Sequence, residues 1–573
     1  MGLAVDEPPP EAPVAVVPRG QPLPVAGELV LEDGTSLGRT ESVPRDAPFG
    51  YHHLEGDGGM EWLIITGPGR CHLPEDLRAW GWTVQLATTR SRSSWGIGDL
   101  EDLRSIASWS EELGAGFIAV SPLGAPNPGP EPEPSPYYPS TRRWGNPLHI
   151  ALGAVPGVPS GLAAAGRALN EVPLVDRPRV WALKLEALER AWHAARFDRQ
   201  AFAAWRIEQG QPLERWATFV VLSEEFGPGW RSWPEGYRQP ASSAVRTEAT
   251  RRGDRIAFHA WVQWCFDRQL SAASTALRRF ADMPVGVDPG GFDAWDWQEQ
   301  LASGATVGVP PDRFNTIGQD WGMPPFVPHR LREVGYRPFI EILRAQLRHA
   351  AGIRLDHVLG LFRLWWVPAG MHPTAGAYVT QRTEELLEIV ALESERAGAI
   401  IIGEDLGTVP AGVRRELRRR RVLSTRLVLF EQRSPDTYPR QSLAAVTTHD
   451  LPTVAGIMSG GDLDDQAAAR MVPDRREMQG LRRRVLKAAG RRAGASVDSV
   501  VRSLHERPSR SPSMLVSATL EDALLVTKRP NMPGTVHPQR ENWSIALPVP
   551  VEELITDAGA RRLASAMRRG ARR

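Results

Sequence analysis

Cysteine is almost absent from this chain: two residues, Cys71 and Cys265, in 573. They stand too far apart for a metal-binding pair and are too few for a disulfide framework. Both read as reduced thiols packed as small apolar groups. Lysine is nearly missing as well. Only Lys184, Lys487 and Lys528 occur, so arginine carries almost all the basic charge. Excess charge of one sign is also lacking. Lys and Arg number 68 against 67 Asp and Glu, a net charge of +1, which removes the electrostatic case for nucleic acid or an anionic membrane as main partner. No run is apolar enough to span a bilayer. The first 24 residues, rich in proline and acidic groups, lack the basic start and apolar run of a secretory leader. The expected location is the cytoplasm. Tyrosine is sparse, at 7, whereas tryptophan reaches 20. Tryptophan faces stack well on sugar rings, yet most of these residues are expected in cores or packing interfaces.

The length exceeds what one ordinary core needs and suits a large domain with additions. Residues 1–24 read as a disordered tail. Residues 25–75 hold short apolar runs between turn residues, "GELVLEDGTS", "FGYHHLE" and "MEWLIITGP", and read as a β-rich module. From residue 76 to 573 short apolar runs alternate with amphipathic helical stretches, the pattern of a parallel sheet with crossover helices. The runs read as strands are Thr83–Ala87, Gly116–Val120, Val285–Asp288, Gly352–Asp356, Ala399–Glu404, Leu427–Phe430, Leu443–Thr448 and Ala523–Val526. Eight of them predict an α/β fold, a (β/α)8 TIM barrel, with helical inserts at about 151–257 and 462–513. A doubly wound sheet would want a glycine-rich phosphate loop after an early strand, and the glycines of "GWTVQLATTRSRSSWGIGDL" lack that spacing.

Three acids end apolar runs: Asp356 in "GIRLDHV", Glu404 in "AIIIGEDLG", and Asp450, with His449, in "LAAVTTHDLP". Parallel barrel strands would bring them to one rim. Any one alone reads better as a helix cap or an arginine partner, because a charge at the end of a buried strand must be paired or wetted. Three together, two beside histidine, favour catalysis. The chemistry they suit is retaining glycosyl transfer, which needs a carboxylate nucleophile and a carboxylic acid about 5 Å apart across the scissile bond.

The stretches "QLATTRSRSSWGIGDLEDL", "SPYYPSTRRWGNPLHI", "VGVDPGGFDAW", "VGVPPDRFNTIGQDWGMPPF", "GIRLDHVLGLFRLWWVPAG", "IIGEDLGTVP", "VTTHDLPT" and "NMPGTVHPQRENW" run from Gln85 almost to the C-terminus. Together they resemble the amylomaltase or disproportionating-enzyme family, the 4-α-glucanotransferases of glycoside hydrolase family seventy-seven. The β-rich start resembles the bacterial form with an extended N-terminus. The resemblance implies that Asp356 is the nucleophile, Glu404 the general acid/base with Asp405 as a helpful neighbouring carboxylate, and Asp450 the transition-state stabiliser. It implies that Arg354 holds the nucleophile ionised and oriented, that His357 and His449 bind the sugar before the cut, that Tyr137 stacks at the cleft, and that Trp321 sits on a loop arching over the glucan. It further implies an α-1,4-glucan donor, a glucose or maltodextrin acceptor, and transfer favoured over hydrolysis by exclusion of water. No metal or organic cofactor is expected.

One stretch departs from the family pattern. "RRFADMPVGVDPGGFDAW" reads as a shortened segment that has lost a barrel strand's end and an aspartate near the sugar, with Asp282 or Asp288 as substitutes. Two other functions fit the same residues: an α-glucan hydrolase of the α-amylase type, and a relative that binds glucan without turning it over.

Overall fold

The computed structural model describes residues 12–311 and 317–571. Two compact units divide the chain: Met1–Leu73, Trp297–Arg348 and Leu355–Val422 form one; Pro74–Asp296, His349–Arg354 and Leu423–Arg573 form the other.

The first unit opens with a five-stranded sheet in the order Val14–Val16, Glu61–Thr66, Gly50–Gly56, Pro22–Val30, Ser36–Ser42. Alternation along Gly50–Gly56 buries every second residue, and Leu29, Val43, Leu54 and Ile64 close a small core. The expected disordered tail is corrected from residue 12 onward, since Val14–Val16 pairs in parallel with Leu63–Ile65. Residues 1–11 lie outside the described residues. The prolines that suggested disorder are compatible with a strand. Pro22 and Pro24 precede Gly27, where that strand's pairing with Gly50–Gly56 begins, so neither proline interrupts that ladder. The same unit holds a four-stranded sheet in the order Gln319–Asp320, Ala305–Val309, Arg363–Pro368, Ala377–Thr380.

Eight parallel strands close a barrel: β1 (Ala79–Val84), β2 (Phe117–Val120), β3 (Arg279–Met283), β4 (Gly352–Leu355), β5 (Ile400–Gly403), β6 (Leu423–Leu427), β7 (Ser442–Ala445) and β8 (Leu515–Thr519). Each strand neighbours the next in sequence, and β8 returns to β1 with Leu515 opposite Ala79. Four expected strands are displaced, Thr83–Ala87 among them: its strand ends at Val84, and Leu86–Thr88 is a short helical turn. Val285–Asp288 is loop, because Pro284 ends β3 and the Asp288 side chain turns back to accept the Gly290 N–H at 2.7 Å. The segment read as shortened is therefore a complete strand, with Asp282 next to its end. Ala523–Val526 is a helix end and turn: Thr519 caps the short helix Leu520–Ala523, and the strand lies just before it. The Leu427–Phe430 strand sits four residues earlier, at β6, where buried Ser424, Thr425 and Arg426 break the apolar pattern that would mark a strand.

Helices interrupt the barrel rhythm in both expected stretches. Between β2 and β3 run Arg177–Ala194, Arg199–Phe226, Ser243–Arg251 and Gly253–Ala273. Between β7 and β8 run Gly461–Ala468, Arg475–Ala489 and Val497–Ser509. Among the described residues no helix is long and apolar enough to cross a membrane. Thirteen of the 20 tryptophans are buried, so most serve packing. Trp82 stacks on Trp109 at 5.7 Å, for example. Both cysteines are free and buried.

One of the rare lysines is wholly buried. Lys184 Nζ donates to the Leu148 and Ile150 carbonyls at 2.6 and 2.9 Å. Burial pulls its ammonium down to about 8, against the attraction of Asp99 and Asp102. Lys184→Ala leaves two carbonyls unpaired and both carboxylates without their cation. It should lower unfolding free energy by about 3 kcal/mol, measured by urea denaturation of the full chain.

Candidate active site

In the first unit, β4 delivers Asp356 and His357. His357 takes a left-handed backbone, φ 46°, rare for a residue with a Cβ. It turns the chain sharply into Val358–Leu361. The turn is held by Glu404, which follows β5. Glu404 N–H donates to the Leu355 carbonyl at 3.0 Å, and Val358 N–H donates to the Glu404 carbonyl at 3.1 Å. The Glu404 carboxylate accepts the His357 N–H at 3.1 Å on one oxygen and the Leu406 N–H at 2.7 Å on the other. Backbone bonds on both sides thus lock Glu404 against the turn that carries Asp356. Gly403 makes this approach possible, since a Cβ there would lie 2.9 Å from Val358 Cγ1.

Asp405, the carboxylate expected to help Glu404, has a strong partner of its own. Its buried carboxylate pairs with Arg414 Nε at 2.7 Å, so its charge is compensated locally. Burial lowers the His357 imidazole below its ordinary value and favours the neutral ring, against the pull of Asp356 toward the charged form. Trp321 meets that ring edge to face at 5.4 Å, and its indole Nε1 donates to Gln319 Oε1 at 2.9 Å.

In the second unit, Asp282 of β3 gathers two other expected residues. Arg354 Nη1 donates to Asp282 Oδ1 at 2.7 Å, and Tyr137 Oη donates to Asp282 Oδ2 at 2.7 Å. Of the two proposed substitutes, Asp282 is the one joined to expected site residues. Asp288 instead accepts from Asn127 Nδ2, in the segment after β2, at 2.6 Å. Tyr137 packs on His449 with ring centroids 4.8 Å apart, and Trp543 lies 5.0 Å from the same imidazole.

Asp450 lies five residues beyond β7. Its carboxylate accepts from Asn531 Nδ2 at 2.7 Å and lies 3.4 Å from His449 Nε2. Arg529 binds its carbonyl at 2.9 Å and is itself paired with buried Asp462 at 2.6 Å. Burial pushes the Asp450 carboxyl up, but His449, Asn531 and Arg354 outweigh it and hold the group below the usual carboxylate range. Burial pulls His449 down, but Asp450 more than offsets it and sets the imidazole above its ordinary value. The pair is therefore ionised from the lowered Asp450 pKa at the acid end to the raised His449 pKa at the alkaline end. Sequence reasoning missed Asn531 and Trp543. Both lie in "NMPGTVHPQRENW", but nothing in spacing links them to residues 449 and 450.

A closed parallel barrel with carboxylates after its strands, one locked by backbone and one paired with histidine, defines a barrel enzyme of the glycosyl-transfer class. A family profile described as 4-alpha-glucanotransferase matches residues 84–550. The 4-alpha-glucanotransferase of Mycobacterium tuberculosis is 39% identical, over 94% of this chain and 82% of the relative. That of Haemophilus influenzae is 31% identical, over 88% and 81%. The crystal structure of amylomaltase from Corynebacterium glutamicum superposes with a TM-score of 0.87 at 30% identity, covering 97% of this chain and 90% of that one. The chain belongs to the 4-alpha-glucanotransferase family.

Asn531→Ala removes a hydrogen bond that favours ionised Asp450. The Asp450 pKa should then rise, moving the acid-side limb of kcat/KM to higher pH. A limb left in place would mean that Asn531 does not act through Asp450.

Proposed function

We propose that the chain cuts an α-1,4-glucan and passes the cut segment to the 4-position of glucose or a maltodextrin, with net retention, in the cytoplasm. The observation that carries this reading is the bond from His357 N–H to Glu404, which holds the acid beside the turn bearing the nucleophile. Further support comes from the barrel: Asp356, Glu404 and Asp450 each follow one of its strands, β4, β5 and β7.

In the first step the Asp356 carboxylate attacks C1 of the donor sugar as the C1–O4 bond breaks. Glu404 gives its proton to the departing oxygen, and a glycosyl ester of Asp356 forms. In the second step Glu404, now ionised, takes the proton from the acceptor's 4-hydroxyl. That oxygen attacks C1 and frees Asp356. Two inversions give retention. Asp450, kept ionised by its partners, grips ring hydroxyls more strongly as positive charge develops at C1. His449 and neutral His357 supply hydrogen bonds to the same sugar. Asp282 fixes Arg354 and Tyr137, so that the guanidinium can orient the nucleophile and the phenol ring can stack on the sugar. Trp321 covers the glucan and helps exclude water, which favours an acceptor hydroxyl over hydrolysis.

Maltotriose tests the reading. Transfer yields glucose together with maltodextrins longer than the substrate, whereas a hydrolase yields only shorter products and a binding relative leaves the sugar unchanged. Asp356→Ala should lose about 10^4-fold or more in kcat. Glu404→Gln should fail on maltotriose yet still form the glycosyl ester from an α-maltosyl fluoride, whose leaving group needs no proton. Full turnover of maltotriose by either variant would refute its assigned role.

A further inference from the structure

The N-terminal sheet takes no part in the chemistry above, yet its contacts are specific. They converge, within the first unit, on two barrel helices. The helix Arg337–Leu347 leads through four residues into β4 and Asp356. The helix Thr383–Ala397 leads through two residues into β5 and Glu404. Tyr51, from the "FGYHHLE" signature, and Glu32, just past strand Pro22–Val30, bridge both helices.

The bridge is one closed knot of charges. Glu393, only 3% exposed, accepts from Tyr51 Oη at 2.9 Å, from Arg344 Nε and Nη2 at 3.0 Å each, and from Arg396 Nη1 at 3.2 Å. Glu32 accepts from Arg344 Nη2 at 3.2 Å, from Arg396 Nη1 at 3.2 Å and from the Tyr51 N–H at 2.9 Å, and it also pairs with Arg396 Nη2. The Tyr51 ring lies 5.6 and 5.2 Å from the two guanidinium carbons. Two arginines, one from each helix, are balanced by two glutamates. An isolated surface ion pair contributes little, but this network includes a buried carboxylate that must keep its partners.

Two further ties reach the same helix. Arg332 Nη2 donates to the Val14 carbonyl at 2.6 Å while its Nε binds Glu385 at 3.0 Å. Gly69 N–H donates to Glu388 at 2.8 Å. With so few residues between helix and strand, a shift of either helix passes to the acid beyond it.

We infer that the N-terminal sheet is a brace that sets the spacing of the two βα units carrying Asp356 and Glu404, with Tyr51 and Glu32 as positioning residues for glycosyl transfer. This rests on the assignment of those acids as nucleophile and acid/base. Double displacement works only with the two carboxyl groups about 5 to 5.5 Å apart, and a misplacement of about 1 Å can cost roughly 10^2-fold.

The test uses the full chain with Tyr51→Phe and Glu32→Gln combined, beside Asp356→Ala. Both changes keep side-chain size and remove the hydroxyl and the charge. On maltotriose kcat should fall about tenfold while KM stays within about twofold. The alkaline limb of kcat/KM should move to lower pH, because a wider gap weakens the repulsion that an ionised nucleophile exerts on the proton-carrying acid. Unchanged kcat and an unmoved limb would overturn the brace, even if the melting temperature dropped. If the double variant fails to fold, Tyr51→Phe alone carries the test, with an expected fall of about threefold and the same limb shift. Full activity in Asp356→Ala would sink the assignment of the acids, and the brace with it, by a route the brace variants do not touch.

Discussion

A carboxylate at the end of a buried strand is costly unless something holds it, and this requirement orders the chemistry of the whole barrel. Glu404 is held by two backbone N–H groups. Asp450 is held by an amide and an imidazole. Asp282 is held by a guanidinium and a phenol. In each case the holding group also fixes direction, so meeting the desolvation cost and orienting the acid are the same act. The left-handed turn at His357 belongs to this economy of positions. It exposes an N–H that extended backbone would have spent on the strand ladder, and Glu404 accepts it.

The same requirement separates chemistry from scaffold. Lys184, Arg420 and Glu388 are all buried. Lys184 is satisfied by backbone carbonyls, while Arg420 and Glu388 pair with each other and bind the backbone around Gly69. They are structural knots held by protein groups. Asp405 belongs with them despite its place beside Glu404, because Arg414 takes its charge. Burial of an ionisable group is therefore not a sufficient sign of catalysis here. What sets Glu404, Asp450 and Asp282 apart is that each binds another expected site residue: His357, His449, and Arg354 with Tyr137, respectively.

The tryptophans make a parallel point. An abundance of flat apolar rings invites a carbohydrate reading, but most of these rings pack on one another, as in the cluster of Trp192, Phe197, Phe202 and Trp261 within the inserted helices. Trp321 and Trp543 differ by their neighbours, each lying about 5 Å from the ring of a site histidine.

Much of this was legible in the sequence by itself. Alternation of apolar runs with helical stretches specified a barrel, because strands and crossover helices impose different periods on the chain. The motifs around Asp356, Glu404 and His449–Asp450 marked the acids, because a charged residue ending an apolar run is a local signal. Tertiary structure decided what no local signal could. It moved four strands away from the expected runs, since buried strand residues such as Ser424, Thr425 and Arg426 are polar and carry no local apolar signal. It made Asp282 the partner of Arg354, 72 residues away. It brought Asn531 to Asp450, and it ordered an N-terminal stretch whose composition suggested disorder. Partners distant in sequence are joined only when the sheet closes, and the physical reason is that a hydrogen bond depends on separation in space and on angle, neither of which spacing along the chain encodes.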